Sequence, residues 1–162
     1  MANGFEAYRG PSEINGQPIK LIVTGTAKAS QNPKTADMMQ AWAFPIASKP
    51  SEAVKNGDDV AVCGSCIHRP SVAKAKGVKA CYVRTWQQTA TWNAQYPSEP
   101  ASRNVPIRLG AWGEPTAVPF NTIKGLVNGN GHTGYTHRWQ ECDQRFRTLL
   151  MASVDNEGEA VE

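Results

Sequence analysis

No run of apolar residues in this chain approaches the roughly eighteen that a membrane-crossing helix requires, so no membrane span is expected. There is no G-x-x-x-x-G-K-[ST] phosphate loop and no G-x-G-x-x-G fingerprint, so neither a P-loop nor a dinucleotide fold is indicated. Residues 1–10 lack the basic-then-apolar pattern of a secretory signal, and the expected location is cytoplasmic. Thiols stay reduced in that compartment, so the four cysteines are not read as a disulfide framework. Internal repeats, heptads and low-complexity blocks are also missing, which argues against a solenoid or a coiled coil. What remains is a soluble globular composition, read as a single domain over residues 1–162. Residues 1–16 read as an N-terminal arm or edge, and 157–162 as an acidic tail or the start of a truncated helix.

Three of the four cysteines are concentrated in one stretch. Cys63-Gly64-Ser65-Cys66-Ile67-His68-Arg69-Pro70 carries a C-x-x-C hook, and Cys81-Tyr82 follows after fourteen intervening residues. Such a hook lets two thiolates from one turn reach one metal, and the third cysteine strengthens the signal. Two metal chemistries fit. A fourth ligand, Cys142 or His68, would close a tetrahedral zinc site. Without one, Cys63, Cys66 and Cys81 would hold a [4Fe–4S] cluster with one iron open. Free buried cysteines and a C-x-x-C redox pair are the other readings, although no thioredoxin-like helix start follows Cys63.

The charge is uneven. Asp155, Glu157, Glu159 and Glu162 lie in the last eight residues, and without them the balance is 17 basic to 10 acidic. A basic body suits nucleic acid or another anionic ligand, and it also suits an ordinary solvated surface. Lys74, Lys76 and Lys79 fall in one basic loop.

Periodicity supplies the expected elements. Residues 19–23 (IKLIV) form a buried strand, and 38–46 a strand or a short helix limited by Pro45. Residues 48–56 form a short capped helix, 70–80 a loop, and a helix starts at Tyr82 with Tyr82, Trp86 and Ala90 on one face. Strands are expected over 105–112, 132–139 and 149–154, with helices over 118–128 and 141–148. This β-α-β spacing predicts an α/β fold, either a partial (β/α) barrel or an open, mainly parallel sheet with helices. The strands of 19–24, 105–112, 132–137 and 149–154 would be parallel neighbours, with a long metal-binding loop after the first. Thr24, Glu114, Thr136, His137 and Asp155 then fall at strand ends, where such folds gather ligands.

Two further stretches carry polar groups suited to chemistry. Arg108-Leu109-Gly110-Ala111-Trp112-Gly113-Glu114-Pro115 puts a carboxylate and exposed backbone carbonyls at a strand end, able to hold an ammonium group or simply to turn the chain. Gly134-Tyr135-Thr136-His137-Arg138-Trp139 offers a general base or ligand in His137, and rings that stack or pack in Tyr135 and Trp139.

Taken together, CGSCIHRP, KACYV, PIRLGAWGEPTAVP, GYTHRW and LLMASVDN resemble the motifs of an uncharacterised family of phage and bacterial proteins, over residues 19–155. At a greater distance the same order is similar to the radical S-adenosylmethionine superfamily, in which cluster cysteines follow a first strand and a G-G-E-P-like turn follows the second. The resemblance implies that Cys63, Cys66 and Cys81 hold an iron–sulfur cluster. It implies that Gly110, Gly113, Glu114 and Pro115 bind S-adenosylmethionine, and that Tyr135, His137 or Asp155 faces an unknown substrate. The spacing C-x2-C-x14-C departs from that superfamily's close-set triad. Two rival expectations are a zinc-stabilised module that binds nucleic acid or protein without catalysis, and a phage accessory protein acting on a host protein.

Overall fold

In the computed structural model, residues 2–100 and 103–161 are described. Strands β1 (Gly4–Pro11), β2 (Pro18–Thr24), β3 (Met39–Pro45), β4 (Ile107–Trp112) and β5 (His132–Thr133) form one sheet in chain order. The pairs β1–β2 and β2–β3 are antiparallel, and β3–β4 and β4–β5 are parallel. Two shorter strands, β6 (Tyr135–Thr136) and β7 (Met151–Ala152), make a separate parallel pair. The architecture is mixed α/β around an open five-stranded sheet.

The apolar run of β2 is buried at Ile19, Leu21, Ile22 and Val23 alike, so both faces of this central strand are covered. Strand β3 is likewise buried through Met39, Ala41, Ala43 and Phe44. Phe44 meets the Trp112 ring at a centroid distance of 5.7 Å, which joins β3 to β4 in the core. At the β1 edge the pairing shifts register between Glu6 and Tyr8, and the Glu6 amide donates to the Pro97 carbonyl instead of lying open.

Several sequence expectations are corrected here. Residues 38–46 resolve as a strand, and that strand lies between β2 and β4. Because β2 runs antiparallel to β3, and β3 parallel to β4, the 19–24 strand is neither a neighbour of the later strands nor parallel to them. The sheet is not a closed barrel, and it is mixed rather than mainly parallel. The cysteine loop follows the third strand in the chain, although β3 is the first strand of the parallel part.

Residues 70–80 are not a loop throughout. Pro70–Lys76 forms a helix, α3, after α1 (Pro50–Asn56) and α2 (Val60–Cys63). Pro at its first turn and Gly77 in left-handed conformation at its end supply the start and stop signals. The helix expected from Tyr82 is instead a 3-10 turn, Thr85–Gln88, running into a short helix, α4 (Thr89–Asn93). Tyr82 and Trp86 are exposed, so no buried face exists there for their spacing to serve. The expected helix over 118–128 is α5 (Phe120–Val127), and that over 141–148 is a 3-10 turn, Gln144–Thr148.

The 132–139 stretch is divided at Gly134, where a Cβ would stand 2.8 Å from Leu150 Cδ2 and 2.9 Å from Leu109 Cβ. Of 149–154, only Met151–Ala152 pairs as strand. The acidic end forms a 3-10 turn over Glu159–Val161, and residue 162 lies outside the described residues.

Candidate functional site

Strands β3 and β4 run parallel, and the chain leaving each of them lines the same cavity. It has a volume of about 460 Å³. Cys63, Cys66 and Cys81 line it, together with His68, Lys79 and Tyr82 from the cysteine loop. Arg108, Gly110, Gly113 and Glu114 reach it from β4 and its turn, and Tyr135 and His137 from β6 and beyond.

The loop owes its shape to a few backbone bonds. The Cys66 amide donates to the Cys63 carbonyl at 3.1 Å, closing the C-x-x-C turn, and Gly64 sits inside it at φ +54°. A side chain at Gly64 would meet Arg138 Cδ at 2.8 Å, so the position demands both a positive φ and the absence of Cβ. The Cys81 amide donates to the His68 carbonyl at 2.7 Å, which brings the third cysteine back to the hook. Beneath them Arg69 forms a two-pronged pair with Asp59, at 2.6 and 3.1 Å, and donates to the Gly64 and Gly57 carbonyls. Asp59 is 1% exposed, so this pair is an internal bolt rather than a surface ion pair.

The thiols stand in apolar and anionic surroundings. Burial pushes the Cys63 thiol well up from its ordinary range, and Asp59, the other two cysteines and Glu114 act in the same direction. Burial also raises Cys66, partly offset by a hydrogen bond from the backbone of His68, while Glu114, Cys81 and Asp155 add to the rise. A cation placed there would reverse this balance, because a bound metal deprotonates thiols and its charge answers the carboxylates. Among the described residues, no three His, Cys, Asp or Glu side chains stand as a closed ligand group. The three cysteines share a cavity without forming a ready coordination sphere.

Two histidines flank the thiols, with ring centroids 5.6 Å apart. His68 Nδ1 lies 2.7 Å from the Lys79 carbonyl, which can only accept, so Nδ1 carries the proton. In the neutral ring, Nε2 then bears the lone pair. His137 Nδ1 lies 3.3 Å from Asp155 Oδ1, the arrangement that orients ligating or basic histidines.

Glu114 is nearly buried, and both of its carboxylate oxygens are engaged. Oε2 accepts from the Thr136 hydroxyl at 2.7 Å, and Oε1 from the His137 amide at 3.0 Å. Its own amide donates to the Val62 carbonyl at 2.6 Å, one residue before Cys63. Burial raises its carboxyl above the ordinary value against these two hydrogen bonds. The preceding Gly113, at φ +78°, passes so close to β3 that a Cβ would lie 2.9 Å from Ala43 Cβ.

The predicted residues therefore divide into those on the cavity and those beside it. Cys63, Cys66, Cys81, His68, Gly110, Gly113, Glu114, Tyr135 and His137 are brought together. Pro115 lies behind the turn, and Asp155 reaches the site through His137. Cys142 lines a different cavity with Arg138 and Phe146, its thiol against the Trp139 carbonyl. Sequence reasoning passed over four residues that shape the site: Asp59, Arg69, Tyr82 and Arg108. The arginine inside CGSCIHRP and the acidic Gly57-Asp58-Asp59 turn were the signals for the first two. Tyr82 and Arg108 stand in quoted stretches without a role, and only the fold joins them, the Arg108 guanidinium donating to the Tyr82 hydroxyl at 2.6 Å.

No family model matches the sequence, and no curated protein or solved structure matches it either. Among the described residues, no helix is long and apolar enough to cross a membrane.

Proposed function

We propose that this protein is a metal-dependent enzyme of the radical S-adenosylmethionine type, with a three-thiolate iron–sulfur centre on the wall of the cavity. One observation carries the reading. Cys63, Cys66 and Cys81 line the same cavity as Arg108–Trp112 of β4 and the Gly113–Glu114 turn that follows it. The volume suits a small organic cofactor.

The donor chemistry suits the group, and the three thiols would have to close in on it to serve as ligands. Three thiols face one space, the fourth cysteine lies elsewhere, and a backbone N–H already supports one sulfur. Cys63, Cys66 and Cys81 would hold the cluster and leave one iron for an exchangeable ligand. When bound, the cluster supplies the electron that cleaves S-adenosylmethionine reductively. The chain's own contribution is positional. Glu114 and the Gly110–Gly113 backbone line the cavity beside the knuckle, and an ammonium group placed there competes for the Glu114 oxygens with Thr136 and His137. Tyr135 and His137 face the remaining space, and Asp155 holds the His137 ring.

A second reading rests on a different observation. The tautomer forced on His68 by the Lys79 carbonyl presents Nε2 as a ligand, so Cys63, Cys66, Cys81 and His68 also make a donor set for structural zinc. Anaerobic purification followed by metal and sulfide analysis separates the two. The first reading expects a brown protein with iron and sulfide, both lost in Cys66→Ala, and 5′-deoxyadenosine formed on reduction with S-adenosylmethionine. A colourless protein carrying one zinc, unchanged by iron and sulfide under reducing conditions, overturns it.

A further inference from the structure

The rim of the cavity carries side chains that neither metal reading uses as ligands. Tyr82 is 74% exposed and Tyr135 58% exposed, although both line the cavity. Trp86, four residues beyond Tyr82, is 64% exposed. Large rings left in water are unusual where they serve only packing, and a group of them marks a binding surface. Cations are interleaved with these rings. Lys79, Tyr82, Arg84 and Trp86 follow one another along one segment, and Arg108 donates to the Tyr82 hydroxyl from β4.

The acidic groups near this rim are already engaged. Glu114 is held by Thr136 and His137, Asp155 by His137, and Glu159 by the Asp155 and Asn156 backbone and side chain. The cations beside Tyr82 are Lys79 and Arg108, whereas Glu114 and Asp155 have their oxygens occupied by partners within the chain.

We propose that this rim binds a nucleotide unit, its base stacked on Tyr82 or Tyr135 and its phosphate held by Lys79 and Arg108. Exposed rings stack only on bases that are already unpaired, so the unit comes from a single strand or from a free nucleotide, not from a duplex. The cavity behind the rim, about 460 Å³, has room for one base, and Arg84, outside its lining, suits a continuing phosphate backbone. The inference goes beyond the metal reading and does not depend on it. None of these four side chains is a proposed metal ligand.

The test uses the full chain, as purified, in fluorescence anisotropy with labelled oligo-dT, oligo-rU and a duplex of the same length. Binding of at least one single strand, with weaker binding of the duplex and a fall in affinity as salt rises, is expected. Tyr82→Ala or Tyr135→Ala, whichever removes the ring that carries the base, should weaken binding by about tenfold, the loss of one stacked base. Tyr82→Phe keeps the ring and should lose much less. Lys79→Gln should reduce the dependence on salt by about one counterion. Competition by thymidine or uridine monophosphate at millimolar concentration identifies the free nucleotide as sufficient; a strand that only longer oligonucleotides displace identifies the polymer. Both rings lie on the surface, and unchanged melting of the variants confirms that they fold. Equal affinity for the duplex, wild-type affinity in both alanine variants, or no binding to any of these probes overturns the proposal. The metal content of the same samples is read separately, so failure of one reading leaves the other standing.

Discussion

The strands β2 and β3 and the loop from Cys63 to Trp86 are held by opposite means. In the strands, buried apolar side chains occupy both faces, and no single polar partner decides the outcome. In the loop, little apolar surface is buried, and the shape depends on discrete hydrogen bonds: Arg69 to Asp59, Cys81 to His68, Cys66 to Cys63. The difference shows why the two regions suit different tasks. Burial gives a rigid frame tolerant of similar-sized substitutions, whereas a polar-bolted loop can leave thiols and rings unspent and facing a cavity.

The largest expected effect tests the frame. Phe44 is fully buried in β3, and Phe44→Ala should cost about 3–5 kcal/mol in urea denaturation, with the whole protein unfolding at lower denaturant. Next comes the bolt under the loop. Asp59→Ala leaves the Arg69 guanidinium without its partner at a largely buried position, and a loss of about 3 kcal/mol is expected. If the loop is a separately held unit, hydrogen exchange in Asp59→Ala should accelerate around residues 63–69 before it does so in β2. Equal acceleration in both would remove the distinction.

Smaller effects sharpen it. Thr136→Val keeps the shape but strips both the hydroxyl that Glu114 accepts and the oxygen that receives the Arg138 amide, and should cost about 2 kcal/mol by thermal melting. The Glu114 carboxyl adds a pH signature. Its folded value is raised by burial, so in the intermediate range the folded chain holds a proton that the unfolded chain has released. Stability of the metal-free protein from this group should therefore fall as pH rises from the ordinary carboxylate value through the raised one. Glu114→Gln should flatten that part of the profile, measured by denaturation across acid pH. The smallest change is expected at the rim, where Tyr82→Ala should alter stability by no more than about 0.5 kcal/mol.

The frame was partly legible in the sequence. The apolar run 19–23 announces a fully buried strand, and residues 38–46 leave strand and helix open because burial on both faces removes the alternation that tells them apart. Sheet order was not legible. Inserting β3 between β2 and β4 depends on long-range pairing, and it reverses the direction of β2 relative to the parallel part. The helix of Pro70–Lys76 was signalled by Pro70 and Gly77, but its lysines read as a loop. The spacing of Tyr82 and Trp86 mimics a helix face and instead marks exposed rings. At the site, the cysteines announced themselves through spacing. The role of Glu114 did not, because its partners Thr136 and His137 lie 22 and 23 residues later and meet it only through the fold.

The same carboxylate has a spectroscopic consequence. The His137 amide proton is shared with a cavity-lining oxygen, and the Glu114 amide is shared with the segment that leads into Cys63. Any cationic occupant that draws Glu114 toward itself lengthens the first of these bonds. The amide resonance of His137 is thus an internal probe of cavity occupancy, one that reports binding before the occupant, its reaction or its product has been identified.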